Sequence, residues 1–139
     1  MTNRPMSEII RHQKPVTLPP DATVRHACAV MHDRRIGAVL VTHKERLVGI
    51  FTGRDAVRMV GKGENPEETT LERAMTPNPD TMSPGRKAIE ALRLMNDGGF
   101  RHIPVVDDAG KVLGIVSRGD FRGLEQDRLD EETGYWERI

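Results

Sequence analysis

Cysteine is almost absent: Cys28 is the only one in 139 residues. One thiol allows no intrachain disulfide and no thiolate metal cluster, so a packed apolar core in a reducing compartment must hold the fold. Long apolar runs are missing as well. No stretch approaches the roughly 20 apolar residues of a membrane span, and Met1 to Pro15 scatters Arg4, Glu8, Arg11, His12 and Lys14 among its apolar residues, unlike a signal peptide. A soluble cytoplasmic protein with no membrane partner is expected. A charge of one sign is also lacking, because 21 Lys and Arg balance 21 Asp and Glu. No global field attracts a polyanion, so a nucleic-acid partner is not expected. The chain has no Gly-x-x-x-x-Gly-Lys phosphate loop and no nucleophile paired with a base, which argues against an enzyme. His12, His26, His32 and His43 show no ligand spacing with carboxylates and read as surface residues, with no metal and no required cofactor. The length suits one compact domain and leaves no room for a second, catalytic one.

What the chain does contain is a repeat. Val48-Gly49-Ile50-Phe51-Thr52-Gly53-Arg54-Asp55 recurs 65 positions later as Leu113-Gly114-Ile115-Val116-Ser117-Arg118-Gly119-Asp120, and Ala38-Val39-Leu40-Val41 aligns with Ile103-Pro104-Val105-Val106 at the same offset. Upstream the offset is 64: Thr17-Leu18-Pro19-Pro20 matches Thr81-Met82-Ser83-Pro84, and Val24, Ala27 and Met31 match Ala88, Ala91 and Met95. The sequence thus places a one-residue gain near Gly98-Gly99. In each copy a short extended piece precedes an amphipathic helix of about three turns. Two apolar runs around a polar turn follow, Ile36 to Val41 with Leu47 to Phe51, and Ile103 to Val106 with Val112 to Val116. That pattern predicts a buried hairpin. A short helix closes each copy, around Ala56, Val57, Met59 and Val60 or around Phe121 and Leu124, and Gly61 to Pro66 reads as an exposed connection. One copy buries too little to stand alone, so the pair is the folding unit.

Each copy ends its second apolar run in Gly-Ile-x-Thr/Ser-x-x-Asp at the start of a helix. Two functions suit that pattern. Hydroxyl-x-x-acid is a helix capping box, with Thr52 or Ser117 as the cap and Asp55 or Asp120 reaching back. The shorter Asp, where caps favour Glu or Gln, equally suits a carboxylate accepting two bonds from a ribose diol, and the free N–H groups of the helix start suit phosphate. Copy two places Arg101 and His102 at the start of its central strand, where the alignment puts Ile36 and Gly37 in copy one.

These duplicated motifs, Met6-Ser7 and Met75-Thr76 opening the copies, and Arg101-His102-Ile103-Pro104-Val105-Val106-Asp107 resemble a pair of cystathionine-beta-synthase-type (CBS) domains. The resemblance implies an α+β fold of two tandem repeats, each a small three-stranded sheet with two helices, packed sheet to sheet as one pseudo-twofold module. Its boundaries would be repeat one at 6–60, a linker at 61–73, repeat two at 74–124 and an extension at 125–139. It implies a regulatory module that binds adenine nucleotides (AMP, ADP, ATP or NAD) in clefts between the repeats. Asp55 and Asp120 would hold ribose, and Thr52 and Ser117 phosphate. Val16, Thr17, Asp80, Thr81, Ala38 and Ile103 would flank the base, and Arg54, Pro104, Arg118, Arg101 and His102 complete the ligand-contacting set. A homodimer through the helices is implied, signalling by conformational or assembly change to a separate effector protein. The alternatives are a structural dimerisation module without a ligand, or a nucleotide-processing enzyme. From Gly123 onward, Leu124, Leu129, Tyr135, Trp136 and Ile139 stand among charges, a composition expected to dock on a groove of the chain or on a partner subunit.

Overall fold

The computed structural model describes residues 3–121. In chain order the elements are α1 (Met6–Ile9), β1 (Thr17–Leu18), α2 (Val24–Arg34), β2 (Ala38–His43), β3 (Arg46–Thr52), α3 (Gly53–Gly61), α4 (Leu71–Ala74), β4 (Thr76–Pro77), α5 (Ala88–Gly98), β5 (His102–Val106), β6 (Val112–Ser117) and a 3-10 turn (Arg118–Asp120). The two amphipathic helices form as the apolar spacing predicts. Val24, Ala27 and Met31 of α2 are buried, and so are their counterparts Ala88, Ala91 and Met95 of α5. Thr23 starts α2 by accepting the His26 N–H on its hydroxyl at 3.1 Å. Both hairpins are present: β2 and β3 pair antiparallel with Ala38 opposite Thr52, and β5 neighbours β6. Leu124 and the C-terminal extension lie outside the described residues.

The chain forms two compact units that cut across the sequence repeats. One combines Lys14–Pro79 with Ala109–Val112; the other, among the described residues, combines 3–13 with Asp80–Asp108 and 113–121. Copy one supplies the three expected strands, and β4, from the opening of copy two, adds a fourth in the order β1-β2-β3-β4. Beneath that sheet Val24, Ala27, Met31, Val39, Val41, Phe51 and Met59 are closed over by Leu71 and Ala74 of α4. In the other unit Ala88, Ile89, Leu92, Met95, Ile103 and Val105 are closed over by Met6 and Ile10. Each opening helix therefore completes the core of the opposite copy. The segment 61–73, expected as a linker, ends inside such a core, because Leu71 is fully buried. Complete burial of a side chain as large as Met6 or Leu71 contributes about 1.5 to 3 kcal/mol, which a four-residue helix cannot gain alone.

The same exchange accounts for the glycine of the repeated motif. A Cβ on Gly114 would stand 2.7 Å from the Ile10 Cβ, and one on Gly49 would run into the Met75 sulfur. The Ile10 Cβ cannot move aside, so only glycine leaves room at 114, whereas at 49 a side chain would have to displace the flexible end of Met75.

The position of the extra residue differs from the one read off the sequence. The helices end on left-handed caps, Arg35 (φ 54°) and Gly99 (φ 70°), which are 64 positions apart. Parallel pairing puts Leu18 beside Val41 and Met82 beside Val105, again 64 apart. The Gly98-Gly99 segment therefore holds no insertion. The residue is gained in the hairpin turn: copy one turns through Lys44 and Glu45, both at positive φ, between β2 and β3, whereas copy two turns through the longer stretch from Asp107 to Lys111 with Gly110 at φ 82°. Both first strands are runs of apolar residues, so a shift of one position leaves their pattern almost unchanged. In the corrected register Arg101 corresponds to Gly37, His102 to Ala38 and Ile103 to Val39. The openings shift too. Met6 corresponds to Leu71 and Ile10 to Met75, so Met6-Ser7 and Met75-Thr76 are not equivalent.

Arg35 and Gly99 offer a direct test. A side chain in the left-handed region costs roughly 1 to 2 kcal/mol, partly offset by the greater unfolded-state freedom of glycine. Arg35→Gly should therefore raise stability by about 0.5 to 1 kcal/mol and Gly99→Arg should lower it, measured by thermal unfolding.

Candidate functional site

In copy one the candidate residues converge where β3 hands over to α3. Val16 and Thr17 run beside β2, the Val16 carbonyl accepting the Leu40 N–H at 3.1 Å, while Thr17 stays exposed. Ala38 is buried opposite Thr52, the N-cap of α3, and Arg54 is exposed on the first turn. The capping box is complete. Asp55 Oδ2 accepts the Thr52 N–H at 3.0 Å and the Thr52 hydroxyl at 3.2 Å, and the Asp55 N–H donates to Thr52 Oγ1 at 3.4 Å. Its other oxygen is engaged as well: Asp55 Oδ1 accepts the Thr76 hydroxyl at 3.1 Å and lies 2.9 Å from the Arg58 guanidinium. Asp55 is only 3% exposed. Burying a carboxylate this deeply is tolerable only with such a full set of donors.

Copy two brings its candidates together in the same way. Asp80 and Thr81 are exposed and lead into Met82, whose N–H donates to the Pro104 carbonyl at 3.0 Å. Ile103 and Val105 point into the core, so His102 and Pro104 lie on the opposite face of β5. Ile103, expected beside a base, is a core residue like its counterpart Val39; the position equivalent to Ala38 is held by His102. The Arg118 N–H donates to the Arg101 carbonyl at 3.0 Å, which sets the end of β6 against Arg101 and His102. Ser117 caps the closing turn, its N–H reaching Asp120 Oδ2 at 2.7 Å and its hydroxyl the same oxygen at 3.3 Å. Asp120 is half-buried, Arg101 exposed, and the Arg4 guanidinium donates to the Asp120 carbonyl at 2.9 Å. A carboxylate, a hydroxyl, a guanidinium and an imidazole thus share one end of the hairpin.

Both motifs act as helix caps, the first of the two functions the sequence allowed. Asp55 has two partners beyond its own cap. Arg58 stands three residues along the same helix face, a legible spacing for an ion pair. Thr76 lies 21 positions away in the opening of the other copy, where no local pattern points to it. Cys28 is half-buried on α2, and burial pushes its thiol up. His12, His26, His32 and His43 are exposed, as the sequence suggested, and the described residues hold no metal-binding cluster of His, Cys, Asp or Glu. No helix among them is long and apolar enough to cross a membrane.

The family model for the CBS domain matches residues 6–62 and 69–126. A CBS domain-containing protein of Arabidopsis thaliana is 39% identical over 109 residues, which cover 77% of this chain and 20% of that protein. The chain thus spans about a fifth of the length of such curated relatives. Among solved structures, a CBS-domain containing protein from Agrobacterium tumefaciens is 30% identical with a TM-score of 0.75, over 89% of this chain and 98% of that one. A CBS domain protein from Pyrobaculum aerophilum complexed with AMP has a TM-score of 0.83 at 24% identity, over 92% and 99%. That last likeness is one of fold.

Burial holds the His102 ring below the ordinary histidine value, the Arg101 guanidinium pushes it the same way, and Asp120 opposes both. Because the folded-state value is lowered, the unfolded chain takes up this proton first as pH falls. The contribution of His102 to stability is therefore complete above about pH 6.5 and declines below it. Between pH 7.5 and 5.5 the melting temperature of His102→Asn should fall less steeply than that of the wild type; parallel curves would show that His102 titrates alike in both states.

Proposed function

The chain belongs to the CBS domain family, and from that premise we propose that it is a regulatory module that senses an adenine nucleotide and catalyses no reaction. The observation that carries this is the cluster in copy two, where the half-buried Ser117 and Asp120 meet Arg101 and His102 across the end of the β5 and β6 hairpin. A ribose diol has two O–H donors for a carboxylate, and a phosphate is met by the Arg101 guanidinium, the Ser117 hydroxyl and a protonated His102. Asp80 and Thr81 offer exposed extended backbone beside β5 for the edge of a base. The AMP complex of the Pyrobaculum aerophilum protein supports the reading at the level of the fold. A bound nucleotide acts through its different affinity for two arrangements of the module, which an effector protein then reads.

We further propose assembly as a cytoplasmic homodimer through the helices. Val57 and Val60, three apart on α3, are 73% and 62% exposed, an apolar pair suited to a helix face. Val57→Glu with Val60→Glu should then halve the mass seen by light scattering; an unchanged mass would place the interface elsewhere or show a monomer.

A thermal-shift series with AMP, ADP, ATP, NAD, an S-adenosyl compound and adenosine tests the ligand. A ligand at 100 times its dissociation constant should add about 2.7 kcal/mol of stability. AMP should outperform adenosine, and Arg101→Ala should remove most of that difference. No shift with any compound would favour a purely structural dimerisation module, and chemical conversion of the ligand would make the protein an enzyme.

A further inference from the structure

The two copies carry the same carboxylate in the same cap, yet its surroundings are opposite. Asp120 is half-buried, and among the described residues its Oδ1 accepts no bond, Oδ2 alone serving the cap. Asp55 is sealed, and the oxygen not used by its cap is filled by the Thr76 hydroxyl and the Arg58 guanidinium. A hydroxyl and a second donor on Oδ1 resemble what a ribose diol would supply, so the chain provides from within what a ligand would provide from outside. The Arg58 guanidinium also donates to the Ala74 carbonyl at 3.1 Å, so it fastens α3 to the end of α4.

The sequence makes this arrangement particular to copy one. Ile10 and Met75 are equivalent, as are Asp55 and Asp120, so the counterpart of Thr76 is Arg11 and that of Arg58 is Gly123. Among the described residues the Arg11 guanidinium makes no bond to the Asp120 carboxylate, and glycine has no side chain to donate. Copy two, in which no such donor fills Asp120 Oδ1 among the described residues, is also the copy with Arg101 and His102 where copy one has Gly37 and Ala38.

We propose that Thr76 and Arg58 form an internal latch that occupies the ribose carboxylate of copy one, so that the chain takes one nucleotide, at Asp120, and uses Asp55 to hold the opening of copy two in place. This rests on the reading of Asp120 as a ribose ligand. Titration calorimetry of the full chain with AMP should give one AMP per chain. Asp120→Asn should weaken binding at least about 10-fold, Asp55→Asn should leave it unchanged, and Thr76→Ala with Arg58→Ala should open a second site. Two equivalent sites in the wild type, or equal losses from the two Asp→Asn variants, would overturn the proposal. Unfolding without ligand gives a second readout. Asp55→Asn should lower the melting temperature more than Asp120→Asn, and this excess should shrink in the Thr76→Ala, Arg58→Ala background. If AMP binds to no variant, the nucleotide reading fails while the latch is still decided by unfolding: equal losses for the two carboxylates would overturn it.

Discussion

Each half of this protein is completed by a four-residue helix that belongs, in sequence, to the other half. Met6 and Ile10 fill the core beneath β5, and Leu71 and Ala74 fill the core beneath β2 and β3. A repeat of this size cannot bury enough apolar surface by itself. Borrowing an opening helix adds the missing volume and makes neither half separable from the chain. The glycines of the Gly-Ile motif follow from this constraint, since Ile10 and Met75 lie where a Cβ would otherwise sit.

The same exchange shapes the candidate site. Because α4 and β4 complete the first unit, Thr76 arrives beside α3 and meets Asp55, and Arg58 spans from that carboxylate to the Ala74 carbonyl. The corresponding junction of copy two has Arg101, His102 and Arg4 as its polar neighbours. Duplication produced two equal frames, and different side chains on the exchanged segments and first strands gave them unequal chemistry. A carboxylate with every lone pair engaged inside the protein is a structural group, and one that keeps an oxygen near solvent remains able to accept from a ligand.

The histidine at this junction ties its electrostatics to packing. His102 takes the position that Ala38 holds in the first copy, and there a small apolar side chain is replaced by an ionisable one under partial burial. Removal from water disfavours the imidazolium, and the adjacent Arg101 adds to that. A negative charge beside the ring acts in the opposite direction, as Asp120 already does.

Sequence alone determined the repeat, the order of helix and hairpin in each copy, the buried faces of α2 and α5, and the two hydroxyl-x-x-Asp caps, because each depends on residues close along the chain and on a periodicity that survives without a structure. Tertiary structure decided the rest. The register of the first strands differs by one residue from the one the sequence suggests, since adjacent apolar residues look alike until Leu18 and Met82 pair with their neighbours. The true units, with their exchanged openings, could not be read from two copies standing in line. Likewise the contrast between Asp55 and Asp120, which share the hydroxyl-x-x-Asp cap, came in part from Thr76, a residue 21 positions distant. Caps and periodicities are short-range properties, whereas burial and the donors around a carboxylate are set by whichever segments the fold brings alongside.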